Sequence, residues 1–396
     1  MSFLLWVASG RLFQYNLRHR KAIGKGRETM VQLPSRAHHV GSLLRPEALK
    51  AARAQHAAGT LSAEQLREVE DRCIEEAIRR QEAIGLRVVT DGEYRRAFWH
   101  YDFLAGLDGV EMVPVETPVQ FRGGQQLRPV APAVTGKLDY TRPHMVDHFT
   151  FLRDHTRQTP KQTLPSPTAL HYRGGRKAIS TAVYPDLEAF FDDLGRAYQK
   201  VLAAFAQAGC TFLQLDEVYL AYLCDPQQHE ELRRRGEDPQ YLLQAYPRLI
   251  NLALAERPAG MTLGMHLCRG NFRSSWIAQG GYEPIAEVLF NTLNVDVYFL
   301  EYDTERAGGF EPLRFVPPGK AVVLGLVTTK TGELEDKDFL KRRIEAAARY
   351  VPLEQLALSP QCGFASTEEG NLLSEAEQWA KLERVVEVAQ DVWGTP

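Results

Sequence analysis

The sequence has little net charge and no long apolar run, and both shortages exclude classes of function. Its 47 basic residues nearly balance 50 acidic ones, which gives a net charge of −3 and no basic excess of the kind that binds nucleic acid. No segment approaches the roughly 18 consecutive apolar residues that a membrane-spanning helix needs. Because 44% of the 396 residues are hydrophobic, we expect a globular protein without membrane or nucleic-acid partners.

Cysteine is also scarce. The five cysteines, an odd number spread over a long chain, do not form the pattern of a disulfide framework. A cytoplasmic location fits better, because free thiolates can bind metal in a reducing compartment. Cys73 and Cys210 have apolar neighbours and are expected in the core, and packing is also the expected role of Cys224. Cys268 and Cys362 remain as candidate metal ligands.

Residues 1–29 differ from the rest of the chain. A short apolar run at residues 3–8 precedes a series of basic residues, which is the reverse of the order in a secretory signal. The Arg-rich, acid-poor composition leaves an organelle transit peptide open. We favour a non-native extension with Met30 as the true start, and we expect this segment to be disordered or loosely docked.

The order of strand and helix patterns in residues 38–396 predicts one α/β domain. Most strand patterns are followed by an amphipathic helix, which is typical of a parallel sheet. Eight such units with polar residues at the strand ends predict a closed (β/α)₈ TIM barrel, with a long irregular excursion at residues 100–136 between the second and third strands. The predicted strands are 39–43, 87–91, 161–164, 211–215, 261–266, 296–300, 321–325 and 355–359.

Candidate metal ligands occur at the ends of three of these strands. His266 and Cys268 alternate with apolar residues, so both project to one face of an extended chain. A lone His-x-Cys pair is more often part of a core, but Glu301 ends the next strand and Cys362 follows the last. In a barrel these ends meet on one face, and the combination suits Zn²⁺. We predict a zinc site formed by His266, Cys268, Glu301 and Cys362.

Four protein ligands are typical of a closed, structural zinc site. A catalytic function requires that one of them be displaced by a substrate sulfur, and Glu301 is the ligand that we expect to be displaced. The position at the catalytic face of a barrel favours this function over a structural one.

Acidic residues follow two other strands, Asp91 and Glu93 after the second and Asp216 and Glu217 after the fourth. Singly, each is as well explained by a solvated loop or by a salt bridge with Arg95, Arg96 or Arg269. If they converge on one face, they can bind the ammonium group of a substrate.

Polar and aromatic residues near the same face suggest further contacts. Ser42 and the backbone of Gly41 can bind a carboxylate, and Arg45 can either do the same or form an exposed salt bridge. An aromatic floor for a flat cofactor is possible, although core packing explains the same residues better. They are Trp99, Tyr101, Phe103, Tyr219 and Tyr222.

Taken together, these motifs resemble the catalytic domain of cobalamin-independent methionine synthase over about residues 38–392. In that family a zinc-bound homocysteine thiolate takes a methyl group from a methyltetrahydrofolate. The resemblance implies the zinc ligands predicted above, and it implies that Ser42, Glu93 and Asp216 hold the amino-acid part of homocysteine. The implied partners are small molecules, homocysteine and a methyl donor, which is either methylfolate or a methyl-carrying protein. The motifs are Gly41-Ser42, Asp91-Gly92-Glu93, Gln214-Leu215-Asp216-Glu217, His266-x-Cys268, Glu301 and Pro360-Gln361-Cys362-Gly363.

Two departures from the family pattern affect this interpretation. Full-length synthases have a second, N-terminal barrel that helps to bind the folate, so this chain is similar to the short, single-barrel members. Where the synthases have a proton-donating histidine after the seventh strand, this chain has Lys330, which becomes the candidate catalytic residue. A related branch activates coenzyme M for attack on epoxides, and a non-catalytic metal-binding barrel is a further alternative. Glu93 and Asp216 argue against that alternative, because a zinc store has no need of them.

Overall fold

The computed structural model describes residues 33–116, 119–127 and 130–396, and its main element is a parallel sheet of seven strands. The strands pair side by side in the order β1-β4-β5-β6-β7-β8-β9. They are buried along most of their length, which is typical of a parallel sheet covered on both faces. Their bounds are β1 Val88–Val89, β4 Thr159–Pro165, β5 Phe212–Asp216, β6 Thr262–Leu267, β7 Val297–Glu301, β8 Ala321–Val327 and β9 Leu356–Pro360.

Helices follow most of these strands, as the alternating pattern predicted. The two helices at Ala63–Ala83 and Glu375–Trp393 are each preceded by a serine. Its side chain and backbone form a capping box with the residue three positions later. The helices are α1 Glu47–Ala57, α2 Ala63–Ala83, α3 Tyr101–Leu104, α4 Val146–His155, α5 Thr168–Gly174, α6 Leu187–Gln207, α7 Tyr219–Tyr222, α8 Pro226–Arg234, α9 Pro239–Ala253, α10 Ala286–Thr292, α11 Lys337–Ala347 and α12 Glu375–Trp393. No helix among the described residues is long and apolar enough to cross a membrane.

The first predicted strand, 39–43, is not formed as a strand. Instead, Ala37 makes a single parallel bridge with Leu358 of β9. The His38 N–H donates to the Leu358 carbonyl at 2.9 Å, and the Leu358 N–H donates to the Arg36 carbonyl at the same distance. The α/β class and the curled parallel sheet are confirmed. The described part of that sheet has seven strands, so the closed eight-stranded barrel stays a prediction.

A long excursion separates β1 from β4, as expected, but it is more regular than the sequence suggested. It contains α3, the antiparallel pair β2 Asp108–Pro114 and β3 Val130–Asp139, and α4. Most residues of β2 are only partly buried, so no clear alternation of apolar and polar residues marks this strand. The long excursion predicted at residues 100–136 is therefore present, whereas the hairpin within it was not predicted.

Apolar side chains form separate clusters in the fold. A small cluster of seven buried residues includes Val88, Phe212, Phe299 and Val323, which come from β1, β5, β7 and β8. A far larger cluster includes the buried faces of α6, α9 and α12 together with the opposite side chains of the same strands. The sheet is therefore packed on both faces, and only its polar carboxyl ends remain to build a site.

Candidate metal and substrate site

Three of the predicted metal ligands converge at the carboxyl ends of β6 and β9. The ligand atoms of His266, Cys268 and Cys362 all lie within 4.8 Å of one another, and the two Sγ atoms are 3.7 Å apart. Nδ1 of His266 lies 3.2 Å from the Phe299 carbonyl, and Nε2 is buried without a hydrogen-bond partner. A carbonyl on one ring nitrogen and a free second nitrogen are typical of a metal-binding histidine, so this group fits Zn²⁺.

The two thiols differ in their electrostatics. The hydrogen bond with Cys268 holds the pKa of Cys362 well below its usual range, and the neighbouring His266 acts in the same direction. The same contact, together with burial, raises the pKa of Cys268 well above its usual range. One sulfur of the pair is thus favoured as a thiolate, which is the form that binds metal.

Glu301 ends β7 but is not a member of this group of three. Its Oε2 accepts a hydrogen bond from the Arg269 N–H at 2.7 Å, and its Oε1 is in close contact with the Arg306 guanidinium. Burial alone would raise the pKa of Glu301, but the charges of Lys330, Arg269 and Arg306 bring it to about 2. The carboxylate is therefore ionised and already paired with Arg306, and its role as a fourth ligand stays a prediction.

Two buried carboxylates, Glu93 and Asp216, line the same cavity as the three ligands. Oε1 of Glu93 accepts a hydrogen bond from Thr163 Oγ1 at 2.8 Å, while Oε2 has no hydrogen-bond partner. Oδ1 of Asp216 accepts a hydrogen bond from Gln214 Nε2 at 2.7 Å. Burial raises the pKa of Asp216 to about 7, with Glu93 adding to the effect and His266 opposing it. Arg96 forms an ion pair with Glu93, with Nη1 3.6 Å from Oε2, whereas no ion pair of Asp216 is present among the described residues. A substrate ammonium group would supply a cation to Asp216.

The backbone around Glu93 is shaped to present its carboxylate. Both Gly92 and Glu93 have left-handed conformations, with φ values of 67° and 59°, and the latter is uncommon for a residue with a side chain. The Glu93 N–H donates to Asp91 Oδ1 at 2.8 Å, so Asp91 fixes this turn. A Cβ atom at Gly41 would lie 2.9 Å from Glu93 Oε1, which explains why the neighbouring loop has glycine there.

Ser42 also lines the cavity. Its Oγ accepts only a long hydrogen bond of 3.4 Å from the Ala365 N–H, and it lies close to Gly363 beside Cys362. The hydroxyl proton is therefore available to a ligand.

Comparison with known proteins decides the family. Residues 36–391 match the model of the family described as "Cobalamin-independent synthase, Catalytic domain". The chain belongs to this family. It is 49% identical to the uncharacterised protein YxjH of Bacillus subtilis, over 93% of this chain and 98% of that protein. It is 24% identical to the methionine synthase of Pyrococcus abyssi over 80% of each chain.

A solved structure shares the fold and much of the sequence. The putative vitamin-B12-independent methionine synthase from Listeria monocytogenes is 41% identical, with a TM-score of 0.73, and the match covers 92% of this chain and 99% of that one. Together with the family match, these relatives indicate that the protein is a methyltransferase.

Lys330, the predicted catalytic residue, follows β8. It is buried, its Nζ has no hydrogen-bond partner, and its charge acts on Glu301, Asp303 and Cys362. It is not one of the residues that line the cavity. A catalytic role for Lys330 therefore stays a prediction.

The structure gives Glu217 and Arg45 different roles from those considered for this synthase-like site. The Glu217 carboxylate accepts hydrogen bonds from the N–H groups of Tyr219 and Leu220, both at 2.8 Å, and it contacts Thr168. It caps α7 and does not line the cavity. Arg45 is buried and donates to four backbone carbonyls, so it neither binds a carboxylate nor forms an exposed salt bridge.

Two cavity residues, His100 and Arg173, were not singled out from the sequence. Arg173 lies on α5, and nothing in its sequence neighbourhood marks it. The aromatic run that contains His100 was a usable signal, since Trp99 beside it lines the cavity as well. Of the other predicted aromatic residues, Tyr222 lines the cavity, while Tyr101, Phe103 and Tyr219 are buried and are not part of the lining. All five cysteines are free, and Cys73, Cys210 and Cys224 pack in the main core as expected.

Proposed function

We propose that this protein is a zinc-dependent methyltransferase that forms methionine from homocysteine and a methyl donor. The observation that supports this is a single cavity lined both by His266, Cys268 and Cys362 and by the Glu93–Asp216 pair. A thiol ligand set and a site for an ammonium group, side by side, match the two functional groups of homocysteine.

The zinc would be held by His266, Cys268 and Cys362, with Glu301 as the fourth ligand after exchange of its Arg306 partner. When bound, the metal would lower the pKa of the acceptor thiol and favour its thiolate near neutral pH. The protein residues bury this sulfur, because all three ligands are at most 4% exposed.

The acidic pair binds and orients the amino group of the acceptor. Glu93 Oε2 and Asp216 accept hydrogen bonds from the ammonium, which lowers the pKa of Asp216 from about 7 and keeps both groups charged. Ser42 donates its hydroxyl to the acceptor carboxylate. Coenzyme M has no amino group, so the pair favours homocysteine over that alternative.

Lys330 is our candidate for the residue that assists the leaving group. When a methyl group leaves an amine nitrogen of the donor for the acceptor sulfur, that nitrogen takes up one proton. Lys330 is the cation after β8 with a free Nζ, and it acts either by donating this proton or by holding Glu301 ionised.

We further propose that the segment around Ala37 closes the sheet as the eighth strand of a barrel, in a cytoplasmic protein. On one side this segment is bridged to β9. On the other side, Thr90 Oγ1 donates to the Gly41 carbonyl at 2.7 Å and the Leu43 N–H donates to the Gly92 carbonyl at 3.0 Å. These contacts support closure between β9 and β1.

A panel of substrates tests the proposed function. Zinc-loaded protein is incubated with homocysteine or coenzyme M and with methylfolate, methylcobalamin or an epoxide, and thiol alkylation is followed by mass spectrometry. We expect methionine with at least one methyl donor, loss of it in Cys268→Ser, and retention in Cys210→Ser, whose thiol lies outside the cavity. Alkylation of coenzyme M alone would favour the epoxide-opening alternative. No alkylation of any thiol by fully loaded protein would favour a non-catalytic metal-binding barrel.

A further inference from the structure

Arg173 is a cation in the cavity that has no acidic partner. It is half-buried near the end of α5, and among the described residues no carboxylate oxygen lies within 4 Å of it. Its Nε is buried without a hydrogen-bond partner, and its guanidinium carbon lies 5.5 Å from the centre of the Tyr219 ring. A guanidinium shielded from water in this way is costly unless an anion pairs with it.

The groups around Arg173 are neutral hydrogen-bond donors. His100 is fully buried, and neither of its ring nitrogens has a hydrogen-bond partner. Burial and the nearby charge of Arg173 hold the pKa of His100 well below its usual range, so the ring is neutral and offers one N–H. The Tyr101 hydroxyl is buried without a hydrogen-bond partner. The Tyr219 hydroxyl lies beside the Arg173 guanidinium and can accept from it while keeping its own proton for an anion. A charged guanidinium next to neutral N–H and O–H groups forms a surface that can bind an anion.

This group of donors adjoins the metal ligands through Tyr222. The charge of Arg173 and that of Cys268 both act on Tyr222, so this ring is close to both. A Cβ atom at Gly270, two residues after Cys268, would lie 2.9 Å from the Tyr222 hydroxyl. The anion would therefore bind in the same cavity as the acceptor thiol, next to the ring that borders the metal ligands.

We propose that Arg173, with His100 and Tyr219, binds an anionic group of the methyl donor, a carboxylate, phosphate or sulfonate. This inference rests on the proposed function, which requires two substrates in one cavity. The acceptor has its own partners, because Glu93 and Asp216 take its amino group and Ser42 its carboxylate. Arg173 is left for the second substrate. A donor that is only cationic, such as a simple sulfonium, would leave this guanidinium unpaired.

Anion binding without catalysis tests the subsite directly. Calorimetry measures inorganic phosphate, glutarate and methanesulfonate on the full zinc-loaded chain. We expect at least one to bind, and we expect Arg173→Gln to weaken it about tenfold to a hundredfold. The control is Lys177→Gln, which removes the same charge from an exposed position four residues along and should change nothing. Arg173→Lys should restore part of the affinity, because it keeps the charge without the fork.

Two outcomes of this measurement would overturn the proposal. One is that the wild type binds none of the three anions. The other is that Arg173→Gln, with normal zinc content and melting temperature, binds them as well as the wild type. If Arg173→Gln does not fold, Arg173→Lys and His100→Phe replace it, because both change the donors of the subsite. Anion affinities equal to that of the wild type in both variants would argue against the subsite.

A matched pair of donors separates the two substrates. One is methyltetrahydrofolate with its glutamate, and the other is the corresponding methyltetrahydropterin without it. Arg173→Gln should raise the KM for the first by about tenfold or more, leave kcat and the KM for the second nearly unchanged, and leave the KM for homocysteine unchanged. A raised KM for homocysteine instead would assign Arg173 to the acceptor carboxylate and refute the proposal. If no donor gives methyl transfer, the proposed function fails while the anion-binding result still decides the role of Arg173.

Discussion

At the residue scale, Asp216 links the cavity to the choice of acceptor. A charge-assisted hydrogen bond contributes roughly 1.5–3 kcal/mol, so Asp216→Asn should weaken homocysteine binding on the order of tenfold to a hundredfold while zinc stays in place. A simple thiol without an amino group serves as the control and should lose much less. Calorimetry of both thiols on wild type and variant measures this. Equal affinity of the two proteins for homocysteine would contradict the assignment of an amino-acid acceptor.

The pKa of Asp216 also predicts a pH dependence of stability. Its pKa is about 7 in the folded protein and about 3.9 in an unfolded chain, so the folded state keeps the proton longer. Ionisation therefore opposes folding. The penalty is absent below about pH 4, grows as the pH rises towards 7, and is complete above it.

Asp216→Asn removes this penalty and keeps the acceptor oxygen for Gln214. In chelator-treated protein without substrate, the urea midpoint of the variant relative to wild type should therefore rise between pH 5 and pH 8. Urea titrations at these two values measure it. If the difference in urea midpoint between variant and wild type is the same at pH 5 and pH 8, or larger at pH 5, Asp216 is already ionised at low pH.

Zinc content tests the ligand residues themselves. Cys268→Ser should reduce the metal from about one zinc per chain to a small fraction, because a hydroxyl is a much poorer zinc ligand than a thiolate. Cys210→Ser, another buried cysteine, should keep it. Metal analysis of the purified proteins is the measurement. Full zinc in Cys268→Ser would remove this residue from the site.

The functional residues were predictable where they directly follow a strand. His266, Cys268 and Cys362 were found because parallel strands end at a common edge, so residues far apart in sequence meet there. Arg173 could not be found in this way, since it lies on a short helix and no spacing relates it to the ligands. The pairing of Glu301 with Arg306 could not be predicted either, because the sequence does not show which nearby cation a carboxylate pairs with.

At the element scale, the buried strands were the most predictable parts of the fold. The predicted bounds of 261–266 and 296–300 lie one residue from the observed β6 and β7, because continuous apolar runs are typical of strands covered on both faces. The hairpin of β2 and β3 was missed because its side chains are half-exposed. The first predicted strand, 39–43, is not formed, and only Ala37 before it makes a bridge with β9.

Glu217 provides a prediction for a single short element. Its carboxylate caps the first turn of α7, which includes Tyr219 and leads to Tyr222 in the cavity wall. Glu217→Ala would leave two buried N–H groups unpaired, so we expect a loss of about 1–3 kcal/mol in the free energy of unfolding. Urea denaturation measures it, with zinc content expected to be unchanged. No loss of stability in Glu217→Ala would restore a substrate-binding role for this residue.

At the scale of the whole molecule, the class of fold and the location of the site followed from the sequence. Alternating strands and helices indicated a parallel sheet, and polar residues at the strand ends indicated the functional edge. The cavity itself was not predictable, because His100 lies in the turn before α3 and Arg173 lies near the end of α5.

Residues 1–29 lie outside the described residues, and our interpretation of them stays a prediction. This segment lacks a secondary-structure pattern and precedes the first predicted strand. Deletion of residues 1–29 should therefore leave the melting temperature and the zinc content unchanged. Calorimetric melting and metal analysis of the truncated and full chains measure this, and a fall of several degrees would show that the segment packs on the domain.

The central claim is that the cavity places a substrate thiol on zinc bound by His266, Cys268 and Cys362. X-ray absorption at the zinc edge, with and without homocysteine, tests this most directly because it counts sulfur neighbours. We predict two sulfur neighbours near 2.3 Å in the protein alone and three after homocysteine is added, with no increase when homoserine replaces it. A sulfur count that stays at two with saturating homocysteine, or a count other than two in the protein alone, would contradict this account.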